Sequence, residues 1–209
     1  MDTDTVKPIT TIIFDWAGIF CTPGEPFTHP SLPAQTGLTV DEMGLQTKEL
    51  QEAYYRGRIS TEEFWMAVIE KFKLSGLTPE DLGAAYCASY SLYPGMLEFA
   101  NSLRANHKII LLSNLTDIMM RHITSTHHIE KYFDLLVFSN QIGFMKPEAL
   151  AYQSALAKAG VQPEETLFID DSQKNVSAAR ALGMSAFQFE GGKTDLLKSH
   201  LEKAGVTLP

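Results

Sequence analysis

Short runs of apolar residues recur along the chain, and polar residues or glycine follow each of them. The runs cover residues 10–14, 108–112, 135–138, 166–169 and, more weakly, 185–189. Unbroken apolar runs of this length are typical of strands that are buried on both faces, as in a parallel sheet. The pattern therefore predicts a set of parallel strands spread over most of the chain.

Apolar residues at helical spacing lie between these runs. The pattern predicts helices over 96–106, over 147–159 with a proline at its first position, and over 175–182, and a terminal helix from about residue 193. Strands that alternate with helices are typical of an α/β fold with right-handed crossover connections.

The segment 21–90 breaks this alternation because it has no strong strand pattern. Helices are expected over 41–55 and 61–72, and the sequence Thr78-Pro79-Glu80-Asp81 favours the start of a third. We therefore expect a helical insert after the first strand. The predicted division is an α/β core of residues 1–20 and 91–209 and a helical cap of residues 21–90.

Composition and charge narrow the classes of function. The 209 residues are 44% hydrophobic and carry 17 Lys and Arg against 25 Asp and Glu, a net charge of -8. This balance argues against a nucleic-acid partner and against a basic membrane surface. The sequence has no apolar run of 18 residues and no signal-peptide pattern, so we expect a cytoplasmic protein, either a monomer or a homodimer. Cys21 and Cys87 are expected to be reduced thiols.

Polar residues with related chemistry follow the predicted strands. They are Asp15, Ser113, Asn114, Lys146, Asp170 and Asp171. Ligands of open parallel sheets bind outside the carboxyl ends of the strands, so these side chains are expected to share one edge. A carboxylate nucleophile, a hydroxyl, an amine and a pair of oxygen ligands suit phosphoryl transfer with Mg²⁺.

Four motifs in order resemble the haloacid dehalogenase-like hydrolase superfamily. They are Phe14-Asp15-Trp16-Ala17-Gly18, Leu111-Leu112-Ser113-Asn114, Gly143-Phe144-Met145-Lys146-Pro147 and Phe168-Ile169-Asp170-Asp171, with Asn175 four residues further on. The form of these motifs is most similar to sugar-phosphate phosphatases and to the phosphatase domain of soluble epoxide hydrolases. The resemblance implies a Rossmann-like core of three α/β/α layers, a small helical cap, and a Mg²⁺-dependent phosphatase that acts on a small phosphorylated metabolite.

The resemblance also implies a role for individual residues. Asp15 would attack the phosphorus, form an aspartyl-phosphate and contribute to the metal site. Ser113 and Asn114 would hold the phosphoryl oxygens, and Lys146 would compensate charge between nucleophile and phosphate. The backbone carbonyl of Ala17 and the carboxylates of Asp170 and Asp171 would complete the Mg²⁺ site. Trp16, next to the nucleophile, is a candidate for lining the substrate pocket, and a packing role is equally open.

Residue 17 departs from the family pattern. Family phosphatases usually have a second aspartate there, which protonates the leaving group and then activates water, whereas this chain has Ala17. A phosphonatase-type hydrolase of C–P bonds, with Lys48 as its Schiff-base lysine, is one alternative. A silent protein that binds Mg²⁺ and phosphate without turnover is another. Tyr54, Tyr55 and Arg56 are further candidates to face the pocket.

Overall fold

The computed structural model describes residues 7–209, and five parallel strands form its single sheet. The strands are β1 (Thr11–Phe14), β2 (Lys108–Ser113), β3 (Leu135–Phe138), β4 (Thr166–Asp170) and β5 (Ser185–Gln188). Their order across the sheet is β3-β2-β1-β4-β5. In this register Phe14 pairs with Leu111 on one side and with Ile169 on the other. The parallel sheet that the apolar runs predict is confirmed.

Alternate residues of the central strands enter two separate cores. Ile12 and Phe14 belong to the larger core, whereas Ile13 between them belongs to the smaller one, and all three are fully buried. This explains why the strands read as unbroken apolar runs, because both faces of the sheet are covered. The larger core takes residues of the helices Met96–Leu103 and Thr194–Lys203, and the smaller one takes residues of the helices Ala149–Ala159 and Gln173–Ala181. The sheet is therefore the middle layer of an α/β/α fold.

Six α-helices follow the insert in sequence. They are α6 (Met96–Leu103), α7 (Asp117–His127), α8 (Ser139–Ile142), α9 (Ala149–Ala159), α10 (Gln173–Ala181) and α11 (Thr194–Lys203). Short 3₁₀ turns cover Ile129–Lys131 and Pro163–Glu165. No helix of residues 7–209 has both the length and the apolar character needed to cross a bilayer.

Five helices lie between β1 and α6. They are α1 (Leu32–Thr36), α2 (Val40–Gln46), α3 (Lys48–Tyr55), α4 (Thr61–Phe72) and α5 (Pro79–Cys87). Capping boxes begin α2, α4 and α5, where a Ser or Thr and an acidic residue satisfy each other's backbone N–H groups. Aromatic side chains pack α3 against α4, with the rings of Tyr54 and Phe64 stacked at 4.5 Å. The boundaries of a separate cap domain stay a prediction.

Two helix predictions need correction. The helix expected over 41–55 is two helices, because Thr47 between α2 and α3 has a non-helical backbone with φ -114° and ψ 14°. The helix expected from Pro147 begins only at Ala149. Residues 145–148 form a turn, in which the N–H of Glu148 donates to the carbonyl of Met145 at 2.8 Å, and the Lys146–Pro147 peptide is cis. The turn takes Pro147 out of the helix.

The chain after α3 passes close to the residues after β3. Gly57 has φ +67°, and a Cβ at this position would overlap the carbonyl oxygen of Asn140. We predict that Gly57→Ala lowers the free energy of unfolding by about 1–3 kcal/mol, because it adds left-handed strain and a backbone clash. Urea denaturation followed by circular dichroism measures the change.

Gly76→Ala is the matched control for this variant. Gly76 has nearly the same φ, +66°, and a Cβ there would meet no atom within 4 Å. Gly76→Ala therefore reports the left-handed strain alone. Equal losses in the two variants would contradict the predicted clash with Asn140.

Candidate active site

The central strands bring three of the predicted side chains to one edge of the sheet. Asp15 follows β1, and its N–H donates to the carbonyl of Ile169 in β4 at 3.0 Å. Ser113 is the last residue of β2, and Asp170 is the last residue of β4. Because β1 lies between β2 and β4, the carboxyl ends of these three strands meet around Asp15. This edge is where open parallel sheets bind their ligands.

The ammonium group of Lys146 lies between two carboxylates. Its Nζ is 2.7 Å from Asp15 Oδ1 and 2.7 Å from Asp170 Oδ2, and the three side chains are 1%, 10% and 0% exposed. A buried charge is tolerated only when it is paired and hydrogen-bonded. The charge of Lys146 therefore depends on these carboxylates, because the loss of both would leave the ammonium group buried without a counter-charge.

Asn114 fixes the backbone of Lys146. Its Nδ2 donates to the carbonyl of Lys146 at 2.9 Å, and its Oδ1 accepts the N–H of Lys146 at 2.9 Å. The side-chain amide thus aligns the loop that carries the ammonium group. The predicted contact of Asn114 with phosphoryl oxygens stays a prediction.

The side-chain amide of Asn175 holds the carboxylate of Asp170, as that of Asn114 holds the backbone of Lys146. Its Nδ2 lies 2.9 Å and 3.0 Å from the two carboxylate oxygens of Asp170, and the N–H of Ser172 donates to Asp170 Oδ1 at 2.8 Å. The hydroxyl of Tyr152 in α9 donates to the carbonyl of Asn175 at 2.9 Å. These contacts hold the Asp170 carboxylate in one orientation.

The donor set of the site fits a hard divalent cation. Asp15, Asp170 and Asp171 each offer an oxygen, and these atoms lie within 4.8 Å of one another. Asp171 lies against Gly18, where a Cβ would overlap its carboxylate, so the glycine leaves room for this side chain. Three carboxylates near a single ammonium leave negative charge for a cation to offset. Oxygen ligands alone suit Mg²⁺.

Burial shifts the titration of these groups. The pKa of Asp15 is raised to about 6, because desolvation and the neighbouring Asp170 carboxylate outweigh the attraction of Lys146. The pKa of Asp171 is also raised, first by desolvation and then by Asp170. Desolvation opposes the charge on Lys146, but the carboxylates of Asp15 and Asp170 raise its pKa overall. A cation bound among the carboxylates would favour their ionised forms.

Two adjoining cavities open above these side chains. A cavity of about 280 Å³ is lined by Asp15, Ala17, Tyr55, Ser113, Asn114, Met145, Lys146 and Asn175. A larger cleft of about 900 Å³ shares Tyr55, Met145 and Lys146 with it, and residues of the inserted helices line its far side. Lys48, the candidate Schiff-base lysine, lines only the larger cleft. Trp16 is 1% exposed and packs on Phe20, with ring centroids 5.8 Å apart; its predicted contact with substrate stays a prediction.

Polar contacts join the end of α3 to the loop that carries Lys146. The Arg56 guanidinium forms a two-pronged contact with the Glu148 carboxylate and donates to the carbonyl of Gly143 at 3.2 Å. Ser139 Oγ donates to the carbonyl of Tyr55 at 2.6 Å. Ser139 and Glu148 are not predicted from the sequence, because neither belongs to a motif and these partners lie more than 80 residues away.

A family model agrees with the motifs and with this geometry. The model for haloacid dehalogenase-like hydrolases matches residues 9–183, which include all four motifs. The chain belongs to the haloacid dehalogenase-like hydrolase family. The predicted family and the Rossmann-like α/β fold are thereby confirmed, and the protein is a hydrolase.

Named relatives of this haloacid dehalogenase-like hydrolase include phosphatases. It is 29% identical over 154 residues to D-ribitol-5-phosphate phosphatase from Bacteroides thetaiotaomicron, covering 69% of this chain and 71% of the relative. A haloacid dehalogenase family enzyme from the same organism, solved with magnesium and inorganic phosphate, matches with a TM-score of 0.79 at 23% identity. That match covers 88% of this chain and 96% of the other. A haloacid dehalogenase-like hydrolase from Porphyromonas gingivalis has a TM-score of 0.78 at 27% identity, with 93% and 98% covered.

The raised pKa of Asp15 predicts a stability change when its charge is removed. The folded state binds the Asp15 proton more tightly than the unfolded state. Proton binding at Asp15 therefore stabilises the folded state fully below about pH 4, and this stabilisation is lost as the pH rises through about 6. In metal-free buffer at pH 7.5, Asp15→Asn is therefore expected to be more stable than the parent by about 1–3 kcal/mol. Urea denaturation in EDTA across pH 4–8 measures the difference, which should vanish at pH 4.

Asp195→Asn provides the control, because the Asp195 side chain is 99% exposed. Its unfolding free energy should differ little from the parent at every pH. An Asp15→Asn protein that is less stable than the parent at pH 7.5 would show that the Lys146 contact outweighs desolvation.

Proposed function

We propose that this chain is a Mg²⁺-dependent phosphatase of a small phosphorylated metabolite that works through an aspartyl-phosphate on Asp15. The observation that carries the proposal is the Lys146 ammonium group 2.7 Å from both Asp15 and Asp170 at adjacent strand ends. The ammonium orients the nucleophile and supplies positive charge where a phosphoryl group would meet it. Relatives that are named phosphatases support the same chemistry.

Asp15 is held in a state suited to attack at phosphorus. Its Oδ1 accepts the N–H of Trp16 at 2.6 Å and the Lys146 ammonium at 2.7 Å. With Oδ1 held in this way, Oδ2 is the oxygen that attacks the phosphorus and displaces the alkoxide. Water then attacks the phosphorus of the aspartyl-phosphate and releases phosphate, which regenerates the Asp15 carboxylate.

The remaining residues stabilise the charge that develops on the phosphoryl group. Ser113 at the end of β2 donates its hydroxyl to a phosphoryl oxygen, and Lys146 offsets the charge between nucleophile and phosphate. Asp15, Asp170, Asp171 and the carbonyl of Ala17 would hold Mg²⁺. Mg²⁺ bound there would supply positive charge that offsets the negative charges of the nucleophile and the phosphoryl group.

The cavities favour a substrate of limited size. The smaller cavity of about 280 Å³ holds the reacting groups, and the cleft of about 900 Å³ beyond it takes the rest of the molecule. The far side of the cleft combines charged residues, among them Asp41, Lys48 and Glu52, with apolar ones, among them Phe27, Val40 and Leu45, which suits a metabolite with polar and apolar parts.

Phosphate release from a panel of small substrates tests the proposal. The panel contains sugar and polyol phosphates, acyl phosphates and phosphonoacetaldehyde, each assayed with Mg²⁺ and with EDTA. We expect release that requires Mg²⁺ and falls by at least about 10³-fold in Asp15→Asn. The exposed variant Asp195→Asn should retain the parent rate.

The other outcomes identify the two alternatives. Cleavage of phosphonoacetaldehyde alone, with a borohydride-trapped adduct on Lys48, would identify phosphonatase chemistry. The position of Lys48 in the lining of the cleft is the observation that favours this alternative. Binding of Mg²⁺ and phosphate by the folded protein without release from any substrate would overturn the proposal in favour of a silent binding protein.

A further inference from the structure

Two cavities are lined by Ala17, at the position where family phosphatases usually have a carboxylic acid. One is the cavity of about 280 Å³ that contains Asp15. The other has about 50 Å³ and is lined by aromatic and polar residues that include Tyr55, Tyr86, Tyr90, Cys21 and Asn114. Tyr55 and Asn114 line both cavities. A proton donor that replaces the missing acid must reach the cavity that holds Asp15.

Most polar groups around Ala17 are already engaged or lie elsewhere. Both ends of the Asn114 amide bind the backbone of Lys146. Cys21 directs its thiol to the carbonyl of Trp16 at 4.0 Å, and burial raises its pKa. The Tyr90 hydroxyl lies 2.7 Å from His127 Nε2. Neither Cys21 nor Tyr90 lines the cavity of Asp15.

Tyr55 differs from these residues because it lines the Asp15 cavity, the small cavity and the large cleft. It is the last residue of α3, and Ser139 Oγ holds its carbonyl at 2.6 Å. The next residue, Arg56, binds Glu148 and Gly143. The end of α3 is thereby fixed to the loop that carries Lys146, beside the cavity that Tyr55 and Asp15 both line.

A second tyrosine supports the Tyr55 hydroxyl. Tyr86 in α5 is 2% exposed, and the two hydroxyl oxygens are 3.1 Å apart. Burial raises the pKa of both phenols, so each keeps its proton. When Tyr86 donates to Tyr55, the Tyr55 proton is free for another acceptor. The same hydrogen bond stabilises the tyrosinate that forms once this proton has left.

We propose that Tyr55 is the catalytic residue that protonates the leaving group, in place of the carboxylic acid that Ala17 lacks, with Tyr86 as a positioning residue. The inference rests on the proposed phosphatase function. As Asp15 bonds to phosphorus, the bond between phosphorus and the leaving oxygen breaks, and that oxygen takes the Tyr55 proton to give the alcohol. Water then attacks the phosphorus of the aspartyl-phosphate and gives a proton to the Tyr55 tyrosinate. Phosphate is released and the Asp15 carboxylate is regenerated.

The dependence of rate on the leaving group tests this assignment. General acid catalysis is worth about 10²–10⁴-fold for poor leaving groups and little for good ones. We compare alkyl phosphates hydrolysed by the parent with a series of substituted phenyl phosphates that ends at p-nitrophenyl phosphate. Tyr55→Phe should lower kcat/KM by about 10²-fold or more for alkyl phosphates and by less than about threefold for p-nitrophenyl phosphate, which needs little protonation.

Tyr54→Phe is the matched control, since Tyr54 is the preceding residue and its hydroxyl lies 2.9 Å from Thr61 Oγ1 within the inserted helices. This variant should have kcat/KM values close to those of the parent for every substrate in the series. Tyr86→Phe should also lower kcat/KM more for alkyl phosphates than for p-nitrophenyl phosphate, but by a smaller factor than Tyr55→Phe. Circular dichroism and urea denaturation establish that each variant is folded.

A rescue variant separates proton donation from substrate binding. Ala17→Asp directs a carboxylic acid into the space next to Asp15, and in the Tyr55→Phe background it should restore hydrolysis of alkyl phosphates. A merely structural role of Tyr55 would leave the gain from Ala17→Asp the same in the parent and in the Tyr55→Phe background, whereas proton donation by Tyr55 makes the gain larger in its absence.

Three results would overturn the assignment. Tyr55→Phe could lower kcat/KM by the same factor across the series, or leave alkyl phosphates unaffected. In either case Asp15-dependent turnover by the parent keeps the proposed phosphatase function intact. If the folded parent releases no phosphate from any ester in an Asp15-dependent way, both proposals fail together.

Discussion

The placement of the site depends on one buried contact, in which the Lys146 ammonium group lies between the carboxylates of Asp15 and Asp170. The ammonium charge would not be tolerated at this depth without a carboxylate beside it. The contact exists because β1 and β4 are neighbours and end at the same level, so that Asp15 and Asp170 flank one point. Even so, desolvation keeps the pKa of Asp15 raised, and the shortage of positive charge makes this edge of the sheet a place for a cation.

The loop of Lys146 also joins the inserted helices to the core. Glu148, two residues after Lys146, binds Arg56 next to the end of α3. Ser139, the first residue of α8, donates its hydroxyl to the carbonyl of Tyr55. A displacement of α3 would therefore disturb the loop that holds the ammonium group. The inserted helices and the Lys146 loop are thus linked through these few polar contacts, and in the proposed reaction this link would help to keep bulk water away from Asp15.

Ala17 distinguishes this chain from the usual pattern of family phosphatases, because it cannot donate a proton. The elements common to phosphoryl transfer by a carboxylate remain, but the acid that usually protonates the leaving group is replaced by a methyl group. Tyr55 of the inserted helices lines the same cavity as Ala17 and Asp15, and its hydroxyl lies beside that of Tyr86. A phenol next to the site can give a proton to an alkoxide, because an alkoxide is a far stronger base than a tyrosinate. Proton donation would then come from the insert rather than from the strand that carries the nucleophile.

The sequence alone determined the parallel strands, the insert after the first strand and the residues at the strand ends. Strands buried on both faces need unbroken apolar runs, and the polar residue that follows each run is visible without a structure. Only the tertiary structure decided that Asn114 aligns the Lys146 loop, that Pro147 lies in a turn before α9, and that Tyr55 enters the Asp15 cavity. These features depend on partners more than 30 residues away or on competing local hydrogen bonds, and hydrophobic periodicity carries no information about such contacts.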